Sequence, residues 1–176
     1  MSKIVIFGNS GSGKSTLASR YGHCLGIAHL DLDTLAWEAS GVRKGLNESV
    51  RELRVFIDAH DSWVIEGCYG SLIADASKAA SELVFLNPGV EACKKNCLAR
   101  PWEPHKYESI EEQDRNLKML LKWVTEYETR TDECSLNAHR AIFASFDGIK
   151  QELKSNMEAQ SKATEILRLK GFPAPL

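Results

Sequence analysis

The chain has 176 residues, 43% of them hydrophobic and 26% charged, enough apolar material for one domain with an ordinary core. Lys and Arg number 22 against 24 Asp and Glu, a net charge of −2; with no basic run, this argues against a dedicated nucleic-acid surface. No apolar run approaches a membrane span, and no leader-like segment precedes the first strand, so a cytoplasmic protein with reduced thiols is expected.

Residues 3–7, Lys-Ile-Val-Ile-Phe, read as a buried parallel strand. The next stretch, Gly8-Asn9-Ser10-Gly11-Ser12-Gly13-Lys14-Ser15-Thr16, fits G-x-x-x-x-G-K-[ST], the Walker A or P-loop pattern. In that pattern backbone N–H groups wrap nucleotide phosphates, the Lys reaches the β- and γ-phosphates, and the first hydroxyl holds Mg²⁺. A chance match in a chain of this length is on the order of one in a hundred. The strand before it and the helix after it supply the strand–loop–helix context the pattern needs.

That helix should run to about Leu25, bury Leu17, Tyr21 and Leu25, and end at Gly26. A short second strand over residues 27–30 leads into Asp31-Leu32-Asp33. Asn47 is the expected N-cap of a helix carrying Val50, Leu53, Phe56 and Ile57. Residues 63–65 form the third strand, closed by Glu66-Gly67; a short helix spans about 71–78, and residues 83–86 make the fourth strand. A helix from Val90 to about Ala99 stops at Arg100-Pro101. Residues 101–112 read as a polar, mobile connection, followed by a helix with Leu117, Leu120, Leu121 and Val124 on one stripe. A further helix ends near Phe146, a weak fifth strand covers 149–153, and a helix over about 158–170 precedes a Pro-containing tail. Strands alternating with helices imply an α/β fold, three layers with a central five-stranded parallel sheet and helices on both faces. The whole chain is then one domain, with a small helical lid at about 100–130. Its ligands sit beyond the carboxyl ends of the strands.

That edge gathers the candidate chemistry. Asp31 and Asp33 are two apart at a strand end: one carboxylate is suited to hold Mg²⁺ through water and the other to accept a proton from an incoming hydroxyl, although either also serves as a helix cap. Glu66 is a second candidate for the Mg²⁺ water shell, or part of an ordinary turn. Arg100, Arg130 and Arg140 bracket the lid-like segment and offer charge for the transferred phosphoryl group. Arg51 and Arg54 are candidates to grip an anionic substrate, with a solvated face the plainer reading. Trp37 and Tyr69 either line an acceptor pocket or pack in the core. Cys93 and Cys97 share a helix face without the further ligands a metal site requires.

These residues together resemble the adenylate kinase and shikimate kinase branch of P-loop phosphotransferases over most of the chain. They are most similar to the adenylate-kinase-related group named DNA topology modulation (FlaR-type) proteins, through residues 29–37, 63–69 and 127–140. The resemblance implies that residues 8–16 bind ATP phosphates, that Ser15 and Asp31 serve the metal, and that Lys14, Asp33, Arg100 and Arg130 are catalytic. By the same resemblance Arg140 contacts the nucleotide. Gly67-Cys68-Tyr69-Gly70 lacks the Pro-Arg of nucleoside monophosphate kinases and the consecutive glycines of shikimate kinases, which leaves the acceptor unassigned. The expected activity is ATP- and Mg²⁺-dependent phosphorylation of a small molecule by a monomer or homodimer. A GTPase switch would need an Asn-Lys-x-Asp guanine reader, and the sequence contains none. A nucleotide-binding regulatory protein without catalysis is the other alternative.

Overall fold

The computed structural model describes residues 1–38, 41–102 and 108–169; the expected Pro-containing tail and part of the expected mobile connection lie outside them. Five parallel strands form one sheet in the order β2-β3-β1-β4-β5. The three central strands, β1 (Lys3–Gly8), β3 (Trp63–Gly67) and β4 (Glu82–Leu86), are buried along nearly their whole length. Continuous apolar runs such as Ile4-Val5-Ile6-Phe7 are what a strand covered on both faces requires. The edge strands are β2 (Ala28–Asp31) and β5 (Ile149–Leu153); in β5 only Leu153 is buried, which accounts for its weak sequence pattern.

Alternation along each strand divides the core in two. Val5, Phe7, Trp63, Ile65, Leu83 and Phe85 face α3 (Leu46–Ala59), α4 (Gly70–Ser77) and α7 (Leu136–Ser145). Ile4, Ile6, Val64, Val84 and Leu86 face α1 (Lys14–Leu25) and α8 (Asn156–Leu169). A third, smaller cluster of Cys93, Cys97 and Val124 joins α5 (Val90–Leu98) to α6 (Ile110–Thr125).

Local expectations differ in three places. Asn47 does not cap α3: the helix begins two residues earlier than that cap would allow, after an extended Gly45, and Asn47 falls in its first turn. The hydroxyl that stitches this end is Ser49, whose Oγ donates to the Leu35 carbonyl at 2.8 Å. Leu25 is only partly buried, because the chain leaves α1 through the left-handed Gly26 at that point. On α6 the expected stripe is real but shallow; Val124 is fully buried, whereas Leu117, Leu120 and Leu121 are partly covered against α5.

Two glycines of the 8–16 loop are required by close approach. A Cβ on Gly8 would meet the Leu86 carbonyl of β4, and one on Gly11, at φ +78°, would meet the Cys93 carbonyl and stand 2.6 Å from Cys97 Sγ. The loop is thus packed against the Cys93 backbone and the Cys97 thiol of the following α5.

Candidate active site

Register places the site. Asp31 on β2 lies beside Glu66 on β3, Glu66 lies beside Ile6 on β1, and Gly8 lies beside Leu86 on β4. The carboxyl ends of four strands therefore present two carboxylates next to a glycine loop that turns straight into α1. The turn closes through Ser12 N–H to the Asn9 carbonyl, and Gly13 enters the helix at φ 94° with no side-chain cap. The first-turn N–H groups of α1 thus face the loop without a side-chain acceptor, the arrangement that suits an anion.

Lys14 Nζ donates to the Asn9 carbonyl at 3.2 Å. Burial opposes its charge, but Glu66, Cys68 and Asp33 together outweigh burial and nearby Arg100, and they hold the ammonium above its ordinary value. Glu66 is nearly inaccessible, and burial raises its carboxyl against the pull of Lys14; Asp31 and Asp33 add to the rise, while the Ser15 hydroxyl lies against it and lowers it. Its Oε1 is buried with no hydrogen-bond partner. A buried acceptor left unmade costs about 1–3 kcal/mol, so this oxygen is poised for a donor or a cation.

Outside the loop is a cavity of about 470 Å³, within the range of ligand pockets. The loop and the start of α1 form one wall, Asn96, Arg100 and Pro101 a second, and Asn156, Ala159, Gln160 and Ala163 of α8 a third. Arg20 also lines it, with Nη1 buried and unpaired. Asn96 donates to the Gly11 carbonyl at 2.8 Å and exchanges reciprocal amide bonds of 3.1 and 3.0 Å with Asn156, tying α5, α8 and the loop together.

On the other side of Lys14, β2 runs into α2 (Asp33–Ala36). Asp31 Oδ1 accepts the Asp33 N–H at 2.9 Å, an Asx turn, while the N-cap position of α2 is Leu32 and carries no side-chain cap. Asp33 Oδ1 accepts from the Tyr69 hydroxyl at 2.6 Å, and Trp37 Nε1 donates to that hydroxyl at 2.7 Å. Tyr69 is 6% exposed and Trp37 44%, so the tyrosine is held in the core while the tryptophan forms an open wall beside Asp33.

The other predicted residues divide. Arg100 lines the cavity. Arg130 does not: it stacks on Trp123, with Cζ 3.1 Å from the ring centroid, and pairs with Asp132 at 3.1 Å. That pair is misaligned for a hydrogen bond, so Arg130 Nε and Nη1 are buried without one. Arg140 lines a separate depression of about 380 Å³ with Asn87, Phe143, Glu152 and Lys154, on the α7 side of the sheet rather than the cavity's α1 and α8 side. Arg54 is engaged by Asp75 through two hydrogen bonds of 3.1 Å, and Arg51 is exposed on α3. Arg20, Asn96, Asn156 and Gln160 were not legible as site residues. They carry no motif and reach the cavity only because α1, α5 and α8 converge on it.

No protein-family model matches the chain, and no curated protein matches it in sequence. Solved structures do match over almost the full length. A shikimate kinase from Acinetobacter baumannii, in complex with shikimate, superposes with a TM-score of 0.51 at 18% identity, covering 94% of this chain and 90% of that one. The YorR protein of Bacillus subtilis, in complex with phosphorylated GDP, gives 0.53 at 15% identity and 94% of each chain. A gluconokinase from Sinorhizobium meliloti gives 0.50 at 14% identity, with 97% and 94% covered. The fold is that of the P-loop kinases. The P-loop kinase sheet, five parallel strands flanked by helices, is thus as expected, and residues 8–16 run from the last residue of its first strand through the loop 9–13 into the first turn of its first helix.

Proposed function

We propose that the protein is an ATP- and Mg²⁺-dependent phosphotransferase acting on a small hydroxyl-bearing molecule. The observation that carries this reading is the set of opposed charges at one sheet edge, with Lys14 beside the half-satisfied Glu66 and the exposed carboxylate of Asp33 across from it. Gly8, Asn9, Ser10, Gly11, Ser12, Gly13, Lys14, Ser15 and Thr16 cradle the ATP phosphates, and the α5–α8 cavity takes the rest of the nucleotide. Lys14 neutralises charge on the transferred group, and Arg100 serves the same end from the cavity wall. Asp33 orients the acceptor hydroxyl and takes its proton. The lid is the segment at about 100–130.

The donor set fits Mg²⁺. Ser15, Asp31 and the unpartnered Glu66 Oε1 are hard oxygen donors. Among the described residues no three-carboxylate or histidine cage exists, as suits an ion held mainly by water and nucleotide phosphates. When bound, it supplies charge neutralisation at the β- and γ-phosphates. Arg130 and Arg140, placed as they are, take no part in this reading. The resemblance of residues 29–37, 63–69 and 127–140 supports placing the chain, within the branch, in the FlaR-type group.

The test is acceptor-dependent ADP release from Mg-ATP across a panel of hydroxyl metabolites. Asp33→Asn is expected to lower that turnover by about 10²–10⁴-fold while ATP binding, measured by calorimetry, stays within a factor of two or so. ADP release that no acceptor stimulates in the wild type counts against a kinase.

A further inference from the structure

Asp33 is open to solvent on one side and held on the other. A phenol has a single proton; Tyr69 gives it to Asp33 Oδ1, so its oxygen is left to accept, and the Trp37 indole, which can only donate, fills that role. The chain of bonds has one direction, from Trp37 through Tyr69 to Asp33. Burial first, then Cys68 and Asp33, push the Tyr69 phenol up, so the proton stays on it through the neutral range.

The aromatic pair is itself pinned. The Arg43 guanidinium lies 4.2 Å from the Tyr69 ring centroid and 5.5 Å from that of Trp37, and Arg43 pairs with Trp37 through an antiparallel bridge. Arg43 bonds Glu133 Oε1 at 2.8 Å, Glu133 Oε2 accepts the Ser71 N–H at 2.9 Å, and the Glu133 carbonyl accepts the Gly70 N–H at 3.1 Å. Every link from residue 133 to Asp33 is a direct contact, yet neither Arg43 nor Glu133 touches Asp33 in this chain of contacts.

We propose that Tyr69 is a positioning residue for phosphoryl transfer, acting through Asp33: it occupies Oδ1 and leaves Oδ2 as the oxygen that receives the acceptor's proton. The inference rests on the kinase reading above. In the step it serves, the acceptor oxygen forms a bond to the γ-phosphorus and the bond from that phosphorus to the β,γ-bridging oxygen breaks. The hydroxyl proton passes to Asp33 Oδ2, and the electron pair leaves with ADP. A carboxylate held by a charge-assisted bond from a buried phenol loses little orientational freedom when the acceptor arrives.

The test has two arms. The first needs no substrate: among the four tryptophan indole N–H signals in a ¹⁵N–¹H spectrum, the one removed by Trp37→Phe reports the chain. Asp33→Asn is expected to shift that signal upfield although the two side chains are joined only through Tyr69, and Tyr69→Phe is expected to open it to rapid exchange with water. An unmoved Trp37 signal in Asp33→Asn overturns the proposal. The second arm is steady-state turnover of Mg-ATP with the panel metabolite that the wild type phosphorylates fastest. Tyr69→Phe keeps the buried ring and is expected to lower kcat about tenfold with the KM for ATP unchanged, and Trp37→Phe to fall in between. Wild-type kcat in Tyr69→Phe also overturns it. A wild type that phosphorylates nothing overturns the kinase reading, and with it the catalytic use of Tyr69, while the first arm still decides the hydrogen-bond chain.

Discussion

Lys14→Met is expected to lower phosphoryl transfer by about 10²–10³-fold, the usual loss when one preorganised charge is removed from a developing oxyanion. The same substitution should also destabilise the fold, for a separate reason. Lys14 is the largest favourable influence on the Glu66 carboxylate, which is buried at the end of β3 with Oε1 unpartnered. Removing the cation leaves a buried carboxylate to be neutralised by taking up a proton, at a cost of about 1–3 kcal/mol near neutral pH. The double substitution Lys14→Met with Glu66→Gln should therefore recover most of the lost stability in urea denaturation and none of the lost activity. Recovery of both, or of neither, would show that Lys14 and Glu66 are not coupled in this way.

His139 gives the second large effect, on stability alone. It is fully buried between β1, β4 and η1 (Glu126–Glu128), with Phe7 and Phe85 edge-on to its ring. Because the Cys68 carbonyl can only accept, His139 Nε2 carries the proton and donates to it at 2.8 Å, and Nδ1 accepts from the Tyr127 hydroxyl at 2.7 Å. His139→Ala leaves a cavity and strands two buried polar groups, an expected loss of about 3–5 kcal/mol in urea denaturation. The pH dependence has a definite sign. Burial is the main cause that brings the imidazole down to about 4, from an ordinary value of about 6.5. Between those values the unfolded chain binds more protons, so stability falls as pH drops from about 6.5 toward 4, by roughly 3 kcal/mol from this residue. The slope should change in His139→Ala by this residue's share, leaving the opposed contributions of His29, whose imidazole burial also holds down, and of Glu66 and Glu82, whose carboxyls burial raises; a slope identical to that of the wild type would show that His139 does not titrate here.

The sheet was legible because each central strand is a short, unbroken apolar run closed by glycine, proline or acid, and because β1 ends in a loop whose glycines have a steric cause. Asp31, Asp33 and Glu66 were legible because parallel strands bring their carboxyl ends to one edge. What the sequence concealed was side-chain partnership. Arg130 and Arg140 lie close together in the chain, but one folds onto Trp123 and the other turns to the α7 side of the sheet. Nothing in the spacing of arginines on irregular and helical segments specifies such a choice. Asn47 misled for a related reason: a good capping residue is overruled because the helix already starts two positions earlier, with the extended Gly45 as its cap. Arg43 itself sits in the short segment Gly41-Val42-Arg43-Lys44-Gly45, where no spacing or motif marks it. Its stacking on Tyr69 depends on Glu133, ninety positions away.

The hydrogen bond from Asn9 Nδ2 to the Val124 carbonyl, 3.1 Å long, fastens the glycine loop to the penultimate residue of α6. Considered as a lever, α6 has its fulcrum there. From Val124 back to Ile110 the helix covers 14 rises, roughly 21 Å, so a turn of about 10° around Val124 would carry the far end roughly 4 Å and leave Asn9 almost where it was. Any such turn would be amplified at the distant end of the helix and damped beside the loop that would hold the phosphates.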